Sequence, residues 1–156
     1  MIKLLRVDHR LLHGQVAFSW TSKLGADCIL VANDDVMQDE MRKTAIKFAK
    51  PANIKLVMKT IDGAIESINS GVTDKYKLLV VVESIEDAYK LIKNTSAFTS
   101  LNLGGTRPKE NTRSISKVVS VNEEETNLLK ELIKDNIEVE IRMVPEDTKI
   151  LAEKVL

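Results

Sequence analysis

The sequence predicts an α/β fold: a single domain built on an open, mainly parallel sheet with helices on both faces. Short apolar runs rich in Val, Ile and Leu alternate with segments of helical spacing along the 156 residues. Several runs are continuous, which is typical of strands covered on both faces. No linker, low-complexity tract or repeat divides the chain, so residues 1–156 are expected to form one domain.

Seven apolar runs are the candidate strands. None approaches the ~20 apolar residues that a membrane-spanning helix needs. The alternation of such runs with helices favours parallel strands joined by right-handed crossovers. The runs cover residues 2–7, 28–32, 54–58, 78–82, 101–103, 118–121 and 139–144.

Helical patterns occupy most of the segments between these runs. A first helix is expected from residue 14 toward residue 24, and a second over residues 35–50. Asn122 has the position of an N-cap for a later helix, with Glu125 at the capping-box position. The apolar residues that recur at helical steps are Met37, Met41, Ala45, Phe48 and Ala49, then Ile85, Ala88, Leu91 and Ile92, and finally Leu128, Leu129, Leu132 and Ile133.

Two later stretches complete the predicted elements. Residues 104–116 carry paired glycines, a proline and scattered charge, which is typical of an exposed loop. Within them, Gly104 and Gly105 mark either a turn or a place where a ligand comes close to the backbone. Residues 146–155 are predicted to form a short final helix.

The composition excludes several classes of function. Lys+Arg and Asp+Glu both number 23, so the chain lacks the basic surplus typical of nucleic-acid-binding proteins, and no nucleic acid is expected as a partner. The single cysteine, Cys28, lies in an apolar run and is expected to be buried rather than reactive. The first residues lack the long apolar segment of a signal peptide. These features favour a cytoplasmic protein.

The stretch RVDHRLLHGQVAFSW, residues 6–20, holds both histidines of the chain. If the first strand ends near Val7, residues 8–13 form a loop at the carboxyl edge of the sheet, where open α/β sheets bind ligands. His13 then lies at the amino terminus of the first helix. The free N–H groups and the dipole at such a terminus favour an anion.

The residues of this loop fit a phosphohistidine site. Arg10 can offer a planar fork of donors to phosphate oxygens. Gly14 has no side chain, so an anion can approach its N–H group and those of Gln15 and Val16. The positive helix end also favours the neutral form of His13, and histidine can form a covalent intermediate.

Each of these side chains also has a plainer interpretation. His13 can be a satisfied loop or core histidine, and Arg10 can be a solvated surface charge. His9 and His13 are four residues apart, which is the spacing of a zinc pair on a helix. Apart from nearby aspartates, however, the chain offers no further ligand cluster, so no metal is expected.

Four other residues near the loop are weighed in the same way. Asp34 and Asp35 follow the second strand, where capping of the helix over residues 35–50 is the favoured role and an active-site wall is the alternative. Phe18 and Trp20 are expected to form the core or rim of the first helix rather than a stacking platform.

Three ordered motifs resemble one protein family. RVDHRLLHGQV, residues 6–16, resembles the signature loop of the enzyme IIB components of the mannose/fructose/sorbose class of the bacterial phosphotransferase system. VANDDVMQDEMRK, residues 31–43, resembles the family's second strand and following helix. LNLGGTRPKENTRSISKVVSV, residues 101–121, resembles its Gly-Gly segment. The resemblance covers nearly the whole chain and implies a mainly parallel sheet with an antiparallel edge strand.

The resemblance also implies a phosphoryl relay. A phosphorylated IIA protein would give its phosphoryl group to this chain, which would pass it to a sugar held by the membrane components IIC and IID. The motif match implies His13 as the phosphorylated residue, with Nδ1 as the accepting atom, and Arg10 as the phosphate-binding arginine. His9 stands where the family usually has an acidic or small polar residue. We expect a separate donor chain, membrane association only through IIC and IID, and no cofactor.

Two other functions are the alternatives to the relay. A binding or regulatory module would use the same anion pocket without covalent chemistry. A nucleotide enzyme of the doubly wound type is disfavoured, because neither G-x-G-x-x-G after the first strand nor G-x-x-x-x-G-K-[ST] occurs.

Overall fold

The computed structural model describes residues 1–156 and contains nine strands and five α-helices. The strands are β1 (Ile2–Asp8), β2 (Cys28–Ala32), β3 (Lys55–Lys59), β4 (Leu78–Val82), β5 (Ser100–Gly105), β6 (Arg113–Ser114), β7 (Ser120–Val121), β8 (Glu138–Ile141) and β9 (Ile150–Leu151). The helices are α1 (Gly14–Leu24), α2 (Glu40–Ala49), α3 (Ile61–Ser70), α4 (Ile85–Lys93) and α5 (Glu123–Lys134).

Seven of the strands form one sheet in the order β3-β2-β4-β1-β5-β8-β9. The first six run parallel, so β1 at the centre pairs with both β4 and β5. Only the short edge strand β9 is antiparallel, with Ile150 opposite Ile141. The predicted fold class is therefore confirmed, including the antiparallel edge strand that the family resemblance implied.

Helices cover both faces of this sheet. The larger core, of 26 buried residues, lies under α3, α4 and α5, and the smaller core, of 12, lies under α1 and α2. β1, β2 and β4 contribute side chains alternately to the two cores, which is why their sequences are apolar at nearly every position. Cys28 is part of the larger core and 1% exposed, and burial raises the pKa of its thiol.

Side chains cap every α-helix except the first. The Asn122 capping box at α5 is present as predicted, and Asp39, Thr60 and Ser84 cap α2, α3 and α4. His13 is the N-cap of α1, and its side chain makes no capping hydrogen bond. The first N–H groups of α1 therefore have no partner within the helix. None of the helices has the length and apolar character that crossing a bilayer requires.

The second helix begins later than predicted. Residues Val36–Gln38 form a separate 3₁₀ turn, and α2 starts at Glu40 because the Asp39 carboxylate accepts the N–H of Arg42 at 3.1 Å. Asp34 and Asp35 do not cap α2. The Asp34 carboxylate instead accepts the N–H of Ile61, the first residue of α3, at 2.9 Å.

The apolar residues that recur at helical steps in this segment are not its buried residues. The only buried residue of α2 is Ile46, whereas Met41 and Phe48 are both 86% exposed. In α1, Trp20 is buried as predicted, and Phe18 lies at the rim with 53% exposure.

The predicted final helix over residues 146–155 is wrong. Ile150–Leu151 instead form β9, which pairs with β8, and Ala152–Lys154 form a short 3₁₀ turn. The pairing satisfies backbone groups along the outer side of β8, and Ala152 packs into the larger core. Tertiary pairing thus overrides the local preference of this segment.

The predicted loop over residues 104–116 is wrong at both ends. Gly104 and Gly105 are the buried last residues of β5, and Arg113–Ser114 pair with Ser120–Val121 in a separate antiparallel hairpin. The apolar run over residues 118–121 is therefore only a two-residue strand outside the main sheet. Val119 and Val121 are apolar because they pack into the larger core, not because they join a parallel strand.

Candidate functional site

The loop that holds both histidines lies at the carboxyl end of the central strand, as predicted. β1 ends at Asp8 and α1 begins at Gly14. Leu11 and Leu12 fix the loop between them, because their side chains are only 2% and 6% exposed and pack into the smaller core. Leu11 has a φ of +59°, a left-handed backbone conformation rare for leucine, and its N–H donates to the Asp8 carbonyl at 2.8 Å.

Asp8 holds the loop together through both of its carboxylate oxygens. Oδ1 accepts the backbone N–H of Arg10 at 2.9 Å. Oδ2 lies 3.0 Å from Nη2 of Arg6 and 2.8 Å from Nε2 of His13. Burial alone would raise the pKa of Asp8, but the hydrogen bonds from His13 and the Arg10 N–H, with the charge of Arg6, lower it below its ordinary value. Asp8 is therefore a carboxylate at neutral pH.

His13 is held by this carboxylate while part of its ring stays open to solvent. Its side chain is 23% exposed. A carboxylate can only accept hydrogen bonds, so the contact with Asp8 requires a hydrogen on Nε2. In the neutral ring Nδ1 then keeps its lone pair. The geometry thus leaves Nδ1 as the ring nitrogen of His13 with a free lone pair.

Arg10 extends from the same loop with its guanidinium largely free. Its side chain is 54% exposed, and its nearest charged contact joins Nε to Oδ1 of Asp8 at 4.0 Å. Gly14 and Gln15 are exposed on the first turn of α1, and Gly14 has a φ of +32°. The structure therefore brings the four predicted site residues, Arg10, His13, Gly14 and Gln15, to one loop and helix terminus.

Arg6 is a site residue that the sequence interpretation missed. It lies inside β1 with 2% exposure, and its guanidinium donates to Asp8, to Oδ1 of Asn102 at 2.8 Å and to the carbonyl of Arg142 at 3.2 Å. Cζ of Arg6 also lies 5.5 Å from the centroid of the Trp20 ring. A charged residue within an otherwise apolar central strand was the signal that could have revealed it.

Gly104 leaves the space that the Arg6 guanidinium occupies. A Cβ atom at position 104 would lie 2.1 Å from Cζ of Arg6, far closer than atoms can pack. At Gly105 the corresponding atom would be 3.6 Å from Nδ1 of His9, an ordinary contact. The glycine pair thus lies in a strand and not in a turn, and the group that comes close to Gly104 is a side chain of this protein.

Trp20 and Arg142 complete the buried surroundings of Arg6. The indole Nε1 of Trp20 donates to the carbonyl of Met143 at 2.9 Å, and the Arg142 guanidinium lies 5.1 Å from the Trp20 ring. Arg142 also pairs with Glu140, with Nε 3.0 Å from Oε2. The guanidinium groups of Arg6 and Arg142 thus both contact the ring of Trp20.

His9 points away from this network. The backbone N–H of His9 donates to the Gly105 carbonyl at 3.1 Å. Its ring nitrogen Nδ1 is buried without a hydrogen-bond partner. Cavities of about 110 and 240 Å³ lie beside it, the second of which Arg10 and Lys117 also line. His9 and His13 do not share a helix, and no three His, Cys, Asp or Glu side chains are grouped so as to hold a metal ion.

The fold and the candidate site together define an open α/β protein that carries a carboxylate-bound histidine at the carboxyl edge of its sheet. Residues 2–156 match the family model described as PTS system sorbose subfamily IIB component. The chain belongs to this family, the IIB components of the sorbose class of the phosphotransferase system (PTS).

Individual relatives agree with this assignment. The chain is 32% identical to the fructose-specific EIIB component of Bacillus subtilis (strain 168) over 146 residues, which cover 94% of this chain and 90% of that protein. It is 29% identical to the mannose-specific EIIAB component of Escherichia coli (strain K12) over 96% of this chain and 46% of that protein. The crystal structure of the IIBSor domain of the sorbose permease from Klebsiella pneumoniae is similar with a TM-score of 0.93 at 25% identity, and the match covers 99% of this chain and 94% of that one.

Proposed function

We propose that this IIB component is a phosphocarrier that acts in the cytoplasm. It accepts a phosphoryl group on His13 from a phosphorylated IIA protein and transfers it to a sugar held by the membrane components IIC and IID. The contact between Asp8 and His13 carries the proposal, because it leaves one ring nitrogen free, orients it and places it at a helix terminus that attracts anions.

The acceptance step follows from the tautomer that Asp8 selects. The Nδ1 lone pair of His13 attacks the phosphorus, the new N–P bond forms, and the bond between phosphorus and the donor breaks with its electron pair returning to the donor. The ring gains positive character while Nε2 keeps its hydrogen. Asp8 stabilises that charge at 2.8 Å, as the carboxylate behind a catalytic histidine does in other enzymes.

Three groups are available to hold the oxygens of the phosphoryl group. The exposed guanidinium of Arg10 offers a fork of donors, and the N–H groups of Gly14 and Gln15 are the first of a helix without a side-chain cap. Their positive character favours the charge that spreads over the equatorial oxygens as the group is transferred. None of them needs a metal or cofactor for this role.

Transfer to the sugar reverses the roles. A sugar hydroxyl attacks the phosphorus, the N–P bond breaks, and His13 leaves as a neutral ring because Nε2 has kept its hydrogen throughout. The hydroxyl proton has to go to a base in the complex with the membrane components. This chain thereby acts as a protein-Nπ-phosphohistidine–sugar phosphotransferase.

The identity of the donor is supported by one relative. The E. coli mannose-specific protein is named EIIAB, and this chain matches 46% of its length. That name joins a IIA and a IIB part in one protein. We propose that a phosphorylated IIA protein supplies the phosphoryl group here.

Labelled phosphoryl transfer tests the proposal. The purified chain would be incubated with a ³²P-labelled phospho-IIA protein of the sorbose class. We expect an acid-labile and base-stable label on the wild-type chain and on His9→Ala, and none on His13→Ala. A chain that takes no label, but binds phosphate reversibly, would be a binding module and not a phosphocarrier.

A further inference from the structure

A cavity of about 260 Å³ lies over the outer part of the sheet, away from the histidine loop. It is a half-open cavity lined by residues of β2, β3, the start of β4, α3 and the segment of residues 72–76. None of its lining residues belongs to β1, to β5 or to the loop of residues 8–13. The proposed relay makes no use of it.

The floor of this cavity is apolar. Leu30 and Leu78 are 2% and 1% exposed and form its base, with Val57 of β3 beside them. Val72, which also lines the cavity, is 56% exposed. The volume of about 260 Å³ lies just below the ~300–1,000 Å³ typical of ligand pockets, which restricts the occupant to a small molecule.

The rim of the cavity is positively charged. Lys55, Lys59 and Lys75 line it, and no lining residue is acidic. The lysines that form ion pairs elsewhere in the fold are Lys43, Lys90, Lys93 and Lys149. The three rim ammonium groups thus have no carboxylate within ion-pair distance.

Two of these lysines contact Tyr76 at one side of the rim. Its hydroxyl accepts a hydrogen bond from Nζ of Lys55 at 2.6 Å, and the ammonium groups of Lys55 and Lys75 lie 4.8 and 5.2 Å from its ring centroid. The hydrogen bond from Lys55 lowers the pKa of Tyr76, because it favours the phenolate. The same field would favour the negative head of a ligand.

Protection of the sheet edge explains only part of this arrangement. β3 is an edge strand, and lysines on such strands discourage pairing with other chains. That role suits Lys55 and Lys59. It does not account for Lys75, which lies outside β3, or for an apolar floor with an exposed valine among the lining residues.

We propose that this cavity binds a small organic anion, with its apolar body on Leu30, Val57 and Leu78 and its carboxylate or phosphate head between Lys55 and Lys75. Such a ligand matches both halves of the cavity, whereas an inorganic anion would leave the floor empty and a neutral molecule would leave the lysines unpaired. The proposal is independent of the relay at His13.

¹H–¹⁵N NMR titration of the full chain tests this site. The probes are benzoate and phenyl phosphate, with benzyl alcohol as the neutral control and inorganic phosphate as the control without an apolar body. We expect saturable shifts of the Val57, Thr73 and Tyr76 amide signals with benzoate, phenyl phosphate or both, and the stronger of the two identifies the head group. The Gly14 amide reports separately on any phosphate bound near His13.

Charge-removing variants decide between the cavity and nonspecific attraction. Lys55→Met/Lys75→Met should weaken binding about tenfold, as expected for the loss of two exposed charge-assisted contacts. Lys130→Met/Lys134→Met removes the same charge from exposed positions of α5 and should leave affinity unchanged. If the double variant loses its native spectrum, Lys75→Met alone should still weaken binding. Equal binding of benzyl alcohol, shifts that do not saturate, or equal losses in both double variants would overturn the proposal.

Discussion

Asp8 joins Arg6 to His13 through a single oxygen atom, since Oδ2 is 3.0 Å from Nη2 of Arg6 and 2.8 Å from Nε2 of His13. Arginine stays protonated even when burial lowers its pKa, as it does for Arg6. The oxygen between them therefore remains a charged acceptor. The tautomer of His13 thus depends on a buried arginine in the central strand, two residues before the loop begins.

Replacing Asp8 by Asn should impair phosphoryl acceptance without removing the histidine. An amide can turn its NH₂ group toward His13, so Nε2 is no longer required to carry the hydrogen and Nδ1 no longer keeps its lone pair. We expect the transfer rate to fall roughly 10²–10⁴-fold, by analogy with the same change behind other catalytic histidines. Rapid-quench measurement of transfer from phospho-IIA checks this.

Asp39→Asn is the matched control for that variant. Asp39 caps α2 and lies outside the histidine loop, so this variant should transfer at the wild-type rate. If Asp8→Asn also transferred at that rate, the carboxylate would not set the reactive form of His13.

Replacing Gly104 by Ala should displace Arg6 and destabilise the fold. The added methyl group would lie 2.1 Å from Cζ of Arg6, and a buried guanidinium that moves loses its partners. We expect a loss of about 3–5 kcal/mol in the free energy of unfolding, as when a buried ion pair is broken. Gly105→Ala, one residue along the same strand, should cost about 1 kcal/mol or less. Urea unfolding of both variants measures the difference, and equal losses would contradict this account of Gly104.

Removing Arg10 should slow transfer and leave the fold intact. Its side chain is 54% exposed and makes no close hydrogen bond through its guanidinium, so little stability depends on it. The loss of a charge-assisted contact to the transferring group should reduce the rate roughly 10²–10³-fold. Arg10→Lys should recover only part of the rate, since it lacks the planar fork. Wild-type transfer by Arg10→Ala would exclude Arg10 from the site.

The charge of Asp8 should also make the fold sensitive to acid. Because its pKa in the folded chain is lowered below the ordinary value of 3.8, Asp8 contributes stability above that pH, and the contribution is lost as pH falls through the folded pKa. The free energy of unfolding should therefore drop more steeply below about pH 4 in wild type than in Asp8→Asn. Urea unfolding at pH 5 and pH 3 compares the two, and parallel pH dependences would show that Asp8 is not responsible.

Continuous apolar runs were reliable where the sheet is covered on both faces, as in β2 and β4. They were misleading where burial has another cause, since Val119 and Val121 pack into the core outside the main sheet. The helix predicted over residues 146–155 is wrong for a different reason. Their strand exists because β8 offers an unpaired edge, and no pattern within the segment itself contains that information.

The loop motif predicts only part of the candidate site. The positions of Arg10 and His13 follow from the end of β1 and the start of α1, both of which have local signals. Arg6 and Gly104 depend on two strands that meet only in the folded sheet, where Arg6 pairs with Asn102. The space that Gly104 leaves cannot be recognised from the sequence, because the Arg6 side chain that fills it reaches position 104 only in the folded sheet.

Identifying which ring nitrogen carries the phosphoryl group is the decisive measurement for the proposed relay. The chain would be labelled with ¹⁵N in its histidine rings, phosphorylated by a phospho-IIA protein and studied by long-range ¹H–¹⁵N NMR. We expect a hydrogen on Nε2 of His13 in the free chain and phosphate on Nδ1 of His13 after transfer, with His9 unmodified. Phosphate on Nε2 of His13, or on His9, would contradict it.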